Sequence, residues 1–138
     1  MHAKVASCGC PFEDGYELLD NPKLCVKAFG DKKPIEEARK ICQDSGAMLI
    51  VSDTDEKNTA VSEYVRKTLG TTSYFIGLTD ERTEGMYIWE NGNVLTFSKW
   101  SYSQPDNKKN RDCVMATPSS WISFICNSPR AFVCEKQI

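Results

Sequence analysis

Seven cysteines in a chain of 138 residues constrain this sequence more than any other feature. At that density they point to an oxidising compartment, where disulfides persist and reinforce a modest core. Zinc is the competing use, but zinc ribbons and fingers take paired Cys-x2-Cys knuckles. The nearest spacing here is Cys8-Gly9-Cys10, and Cys25, Cys42, Cys113, Cys126 and Cys134 stand far apart. Disulfides are therefore the expectation, and with them a secreted, extracellular protein. The odd count leaves one thiol over. Cys8, beside the terminus, is expected to be unpaired within the chain, either free or joining a second chain as a disulfide-linked dimer. Met1-His2-Ala3-Lys4-Val5 carries no apolar run of the kind a secretory signal needs, so the secreted reading takes this as a mature form.

Length and charge exclude several function classes. The chain suits one domain, with residues 1–9 as an N-terminal tail and 10–138 as the folded part. No apolar run approaches the roughly 20 residues of a spanning helix, so no membrane insertion is expected. Lys+Arg 17 against Asp+Glu 19 gives a formal charge of -2, which does not suit a nucleic-acid binder working through global positive charge. The single histidine, His2, removes Ser-His-Asp and Cys-His catalysis and multi-histidine zinc sites. Without a paired-carboxylate motif or a Gly-rich phosphate loop, no enzyme is expected, although carboxylates brought together only by folding stay open.

The order of patterns predicts an α+β domain. Residues 10–19 and Leu24-Cys25-Val26 read as two short strands around a turn carrying Asn21-Pro22, a hairpin that Cys10 and Cys25 would close. Pro34 at a first helical position, then Ile35, Ala38, Ile41 and Cys42 at helical spacing, predicts an amphipathic helix that Gly46 stops. Ala47 to Val51 reads as a buried strand. Asp53 and Glu56 have capping-box spacing ahead of Ala60, Val61, Tyr64, Val65 and Leu69, with Gly70 as terminator. Strands follow at 74–78, 86–89, 113–116, 121–124 and 131–134. Between Trp100 and Cys113 runs a polar segment, long for a structureless connection and anchored covalently at one end, which favours a functional loop.

Several of these pieces together resemble the C-type lectin-like domain family, across essentially the whole span from Cys10 to Cys134. Phe75-Ile76-Gly77-Leu78 is similar to the family's Trp-Ile-Gly-Leu strand. Gly85-Met86-Tyr87-Ile88-Trp89-Glu90-Asn91-Gly92, with Leu95, Phe97 and Trp100, resembles the aromatic series that follows it. Gln104-Pro105-Asp106 resembles the galactose-type Gln-Pro-Asp tripeptide, and Trp121 stands five residues before Cys126 as in the Trp-Asn-Asp element. The resemblance implies two helices packed on small antiparallel sheets, a long ligand-binding loop, and disulfides joining Cys10 to Cys25, Cys42 to Cys134 and Cys113 to Cys126. It also implies a carbohydrate-recognition function, with a glycan or glycoprotein as partner.

In the family a calcium ion bridges protein and sugar, and calcium takes about six to eight oxygens. Gln104 and Asp106 match the family's ligand positions. Arg111 stands where a glutamate is usual, and Ile122 and Ser123 replace the Asn and Asp that follow the tryptophan. A guanidinium a few ångströms from a calcium ion repels it by several kcal/mol at an effective dielectric near 20. The principal calcium site is thus expected to be weak or absent. A second family site is better matched, by Asp80, Glu84, Asn107 and Asp112; Asp80, Glu81 and Glu84 read equally well as a solvated turn. Lys108, Lys109 and Arg111 make the long loop basic. Charge runs are usually solvated faces, but these lie where the fold presents its ligand, which favours contact with sulfate, sialate or an acidic protein surface. Trp89, Trp100 and Trp121 resemble core positions more than sugar-stacking ones. The expectation is glycan binding through Gln104, Asp106, Asn107, Lys108, Lys109 and Arg111. The alternative is a calcium-independent protein-binding module on the same fold.

Overall fold

The computed structural model describes residues 9–71, 73–106 and 110–138. Cys8, Asn107, Lys108 and Lys109 lie outside the described residues. A short 3-10 turn at Phe12–Asp14 leads into β1 (Glu17–Asp20) and β2 (Lys23–Lys33), followed by helix α1 (Ile35–Asp44) and strand β3 (Met48–Leu49). Helix α2 (Asp55–Leu69) precedes β4 (Tyr74–Thr79) and β5 (Ile88–Trp89). Beyond the long loop come β6 (Cys113–Ala116), β7 (Trp121–Phe124) and β8 (Arg130–Lys136). No helix among the described residues is long and apolar enough to cross a membrane.

The helices form where their apolar spacing turns one face inward. Ile35, Ala38 and Cys42 are the buried residues of α1, and Asn58, Val61, Tyr64 and Val65 those of α2. Two boundaries differ by one residue from the sequence reading. Pro34 is the N-cap of α1 rather than its first helical residue. The N-cap of α2 is Thr54, whose side chain accepts a hydrogen bond from Lys57 N at 3.1 Å, so Asp53 lies one position outside the capping pattern. Both are good cap residues, and the burial of Val61 and Val65 fixes which of them sits at the entry. Gly70 ends α2 at φ 74, a left-handed conformation that glycine adopts without steric cost.

The eight strands form one connected sheet in the order β1-β2-β8-β4-β6-β7, with β3 beside β8 and β5 beside β4. The pairs are antiparallel as expected except at the centre, where β4 meets β8 in parallel at Phe75 and Phe132 and joins the strands into one mixed sheet. Gly77 allows the close packing around that centre. A Cβ there would fall 2.6 Å from Glu90 Cγ and 2.8 Å from the Leu49 carbonyl oxygen. Two apolar clusters cover the faces. One is built around Trp121, Tyr74, Ile76 and Val65, the other around Phe75, Phe132, Ile35 and Leu49. The indole of Trp121 meets Trp89, Phe97 and Trp100 edge-on at 5.6 to 5.9 Å, so this aromatic series is core packing. Disulfides join Cys10 to Cys25, Cys42 to Cys134 and Cys113 to Cys126. The second ties α1 to β8 across 92 residues of chain. The third ties β6 to the segment after β7, beside the long loop.

Candidate functional site

Two clusters of polar side chains lie where β4, β6 and β7 give way to loops, and they differ in charge. The first is acidic. Asp80 follows β4 and is 1% exposed, although an isolated buried carboxylate is costly to keep ionised. Its backbone N–H donates to the Asp112 carbonyl at 3.0 Å, which fastens the loop after β4 to the residue before β6. One of its carboxylate oxygens accepts from Gly85 N at 2.9 Å. The other, Oδ1, is buried with no hydrogen-bond partner among the described residues, and so is Oδ1 of Asp112. Asp80, Glu84 and Asp112 each bring a carboxylate oxygen within 4.8 Å of the others.

Three carboxylates so close disfavour one another's ionised forms. Once protonated, Glu84 donates a hydrogen bond to Asp80, and that bond, aided by desolvation and by the charges of Asp80 and Asp112, pushes Glu84 up to about 7. Asp112 is raised as well, first by desolvation and then by Asp80. The solvated-turn reading fits Glu81, which is paired with Arg39 at 3.4 Å, but not Asp80. Orphaned buried carboxylate oxygens in an all-oxygen donor set are what a hard divalent cation requires, and calcium fits them. Three carboxylates can contribute between about three and six oxygens, leaving room for backbone carbonyls or water.

The second cluster holds Gln104, Asp106 and Arg111, with Ser123 beneath them. Arg111 Nη1 donates to Asp106 Oδ2 at 2.9 Å, and the arginine side chain remains 41% exposed. Gln104 Oε1 does not point into open space: it accepts from the backbone N–H of Ser123 at 2.9 Å. Ser123 lies on β7 and is 4% exposed; its Oγ accepts from Asp106 N at 3.2 Å and pairs with the Tyr87 hydroxyl at 3.4 Å. The two family-matching side chains are thus satisfied by protein groups, a cation for Asp106 and a strand N–H for Gln104. Gln104–Pro105 is a cis peptide. Beside the guanidinium, Ile122, Phe124 and Ile125 form the apolar wall of a cavity of about 230 Å3 that Gln104 and Arg111 close from the other side.

Sequence reasoning places Gln104, Asp106 and Arg111 together and Asp80, Glu84 and Asp112 together, and the structure brings each set into contact. It missed the part played by Ser123, which reads in the sequence only as a lost ligand, and by Tyr87, which reads only as a member of the aromatic series. Asn58 was also missed: it accepts a hydrogen bond from Trp121 Nε1 at 3.0 Å inside the protein. A polar residue in register with Val61 and Val65 on the apolar face of α2 is the signal that would have found it.

The family model described as Lectin C-type domain matches residues 31–136. The alpha-N-acetylgalactosamine-specific lectin of Patiria pectinifera is 30% identical over 122 residues, covering 80% of this chain and 73% of that protein. Lectin BRA-3 of Megabalanus rosa is 30% identical over 140 residues, covering 97% and 83%. Other relatives are longer than the match: the chain spans 59% of human C-type lectin domain family 3 member A, at 28% identity over 117 residues and 82% of this chain. Among solved structures, the mouse scavenger receptor C-type lectin carbohydrate-recognition domain superposes with a TM-score of 0.78 at 26% identity, covering 88% of this chain and 93% of that one. Human lithostathine, at 21% identity, shares the fold with a TM-score of 0.84 and coverage of 100% and 97%. The match to the family model and the shared disulfide-stapled α+β architecture agree, and this chain belongs to the C-type lectin domain family.

Proposed function

We propose that this domain is an extracellular glycan-recognition module whose long loop binds without calcium at its principal site. The observation that carries the reading is the Arg111–Asp106 pair, with its 2.9 Å contact. A guanidinium on Asp106 supplies the positive charge that a metal would otherwise bring to that carboxylate, and a divalent cation entering beside it meets several kcal/mol of repulsion. The exposed side of Arg111 offers N–H donors in a planar fork suited to carboxylate or sulfate. Ile122 and Phe124 supply an apolar surface next to it, against which the C–H face of a sugar can pack. Lys108 and Lys109 add positive charge to the same loop, and Asn107 adds an amide. The preferred ligand is a glycan or glycoprotein bearing an acidic group. The galactose-type order Gln104-Pro105-Asp106, and a relative named for specificity toward alpha-N-acetylgalactosamine, support galactose-related sugars next to that group.

At the acidic cluster, Asp80, Glu84 and Asp112, with Asn107, would hold a calcium ion that neutralises their charge and braces the loops without touching sugar. The orphaned oxygens of Asp80 and Asp112 support this role. The domain acts by binding rather than catalysis.

A second reading draws on the same arginine: with no metal at the principal site, the loop surface serves as a calcium-independent protein-binding module. Glycan-array binding with and without a chelator separates the two. The glycan reading expects signals on sialylated or sulfated galactose-containing glycans that survive chelation and weaken as salt rises, because exposed charges are screened within about 8 Å at physiological ionic strength. Loss of signal on chelation that persists in Asp80→Asn, where the acidic cluster no longer holds calcium, would place a metal back at Gln104 and Asp106. Silence on every glycan, with capture of a protein ligand instead, would favour the second reading.

A further inference from the structure

A cavity of about 350 Å3 lies between the middle of α2 and the turn joining β6 to β7. It sits at the Trp121 end of β7, whereas Arg111 sits by the Phe124 end, so the two places are separated by the length of that strand. The cavity's polar walls are held from behind by buried groups. Asn58 is 6% exposed, and its Oδ1 is committed to the Trp121 indole N–H at 3.0 Å. That bond fixes the amide plane and leaves the Nδ2 hydrogens without a protein acceptor among the described residues. Ser62 Oγ pairs at 3.0 Å with the hydroxyl of Tyr74, which is itself fully buried. The cations on the rim are matched: Arg66 is paired with Glu63, and Lys99 with Asp55 at 3.4 Å.

Rigid, satisfied walls reduce the ordering cost of binding, and a rim whose charges cancel gives no net preference for an ion. A small polar ligand rich in hydroxyls and free of charge meets both conditions. It can accept from the Asn58 amide and exchange hydrogen bonds with the hydroxyls of Thr59 and Ser119, which border the same space. Pairing of Arg66 with Glu63 and of Lys99 with Asp55 leaves the rim without a net charge to draw an anion, and nothing in the donor set favours a metal. We propose that this cavity is a second carbohydrate subsite, taking an uncharged hexose ring and working independently of the long loop.

The test is an NMR titration of the 15N-labelled chain with lactose and with maltose, in the presence of a chelator, up to about 50 mM, since a metal-free site for one sugar ring belongs in the millimolar range. The expected result is saturable shifts at the Asn58 side-chain amide, Ser62, Ser119 and the Trp121 indole. Thr59→Trp, at an exposed position of the helix, should fill the cavity and weaken binding about tenfold or more, while Thr59→Ser keeps it. Absence of saturable shifts at these residues overturns the proposal, as do shifts confined to Gln104–Ile125 or an affinity unchanged in Thr59→Trp. Because the titration reads the wild-type chain directly, a variant that fails to fold does not blur the answer.

Discussion

The two side-chain clusters beside β4 and β6 answer the same electrostatic problem in opposite ways. At Asp106, the carboxylate is neutralised by a guanidinium five residues away in the chain. At Asp80, Glu84 and Asp112, the carboxylates have only one another among the described residues, and two of their buried oxygens have no donor there. A guanidinium as counter-charge is part of the chain and stays charged across the accessible pH range. An unneutralised cluster leaves the counter-charge to be supplied from outside. One fold therefore carries a cluster that is neutralised by its own side chain and a cluster whose stability follows the ions around it.

The largest effect expected from this contrast is calcium-dependent stability set by the acidic cluster. At calcium a hundred times its dissociation constant, binding to the folded chain alone adds about 2.7 kcal/mol, enough to raise Tm by several degrees. Asp80→Asn removes a charge while keeping an acceptor for Gly85 N, and should abolish that rise in a thermal melt. A wild-type Tm that ignores calcium would erase the difference between the clusters.

Next is Arg111→Glu, which puts a carboxylate beside Asp106. In chelator, loss of the partly buried pair and the new repulsion should cost about 1 to 2 kcal/mol. Calorimetry should then show weak additional calcium binding, still short of a complete shell because Ile122 contributes no side-chain oxygen. Tight calcium binding by the wild type at Gln104 and Asp106 would show that the guanidinium does not exclude the metal.

Ser123→Ala is a smaller perturbation, about 1 kcal/mol by denaturation. It removes the oxygen that accepts from Asp106 N and pairs with Tyr87, but leaves the strand N–H that Gln104 accepts from. Amide exchange should therefore accelerate at Asp106, while Gln104 stays in place. Equal acceleration along the whole loop would mean that Ser123 has no special part in holding it.

The smallest effect is one of pH. The folded chain holds the Glu84 proton more tightly than the unfolded chain does, up to about 7 against 4.5. The contribution of that proton to stability is fully present below about 4.5 and is lost as pH rises through about 7. In chelator the melting temperature should decline across that window. Calcium should flatten the slope, and Glu84→Gln should remove most of it.

Much of the framework is legible in the residues because it is encoded locally. The strands Cys113–Ala116 and Trp121–Phe124 and the stop of α2 at Gly70 fall where short apolar runs and turn residues place them. The cap of α2 is off by one because Asp53 and Thr54 are both competent caps and only the packing of Val61 and Val65 chooses between them. The disulfide pairs do not follow from spacing: Cys42 and Cys134 lie 92 residues apart, and only the resemblance to a known fold joined them in advance.

At the site, the sequence by itself determined which groups are available: a Gln-Pro-Asp tripeptide, an arginine where a glutamate is usual, three acids around one loop, and a serine where an aspartate is usual. Chemical type and chain order are properties of the string. Which of these groups touch was decided by the tertiary structure, because side-chain contacts between loops follow no helical or strand period. Only the fold lays Arg111 on Asp106, turns Gln104 onto the Ser123 N–H, and buries Oδ1 of Asp80 and of Asp112 where no donor among the described residues reaches them. Burial gives those contacts their energy, since a carboxylate removed from water must find a cation, a proton or a donor, and the two clusters find different ones.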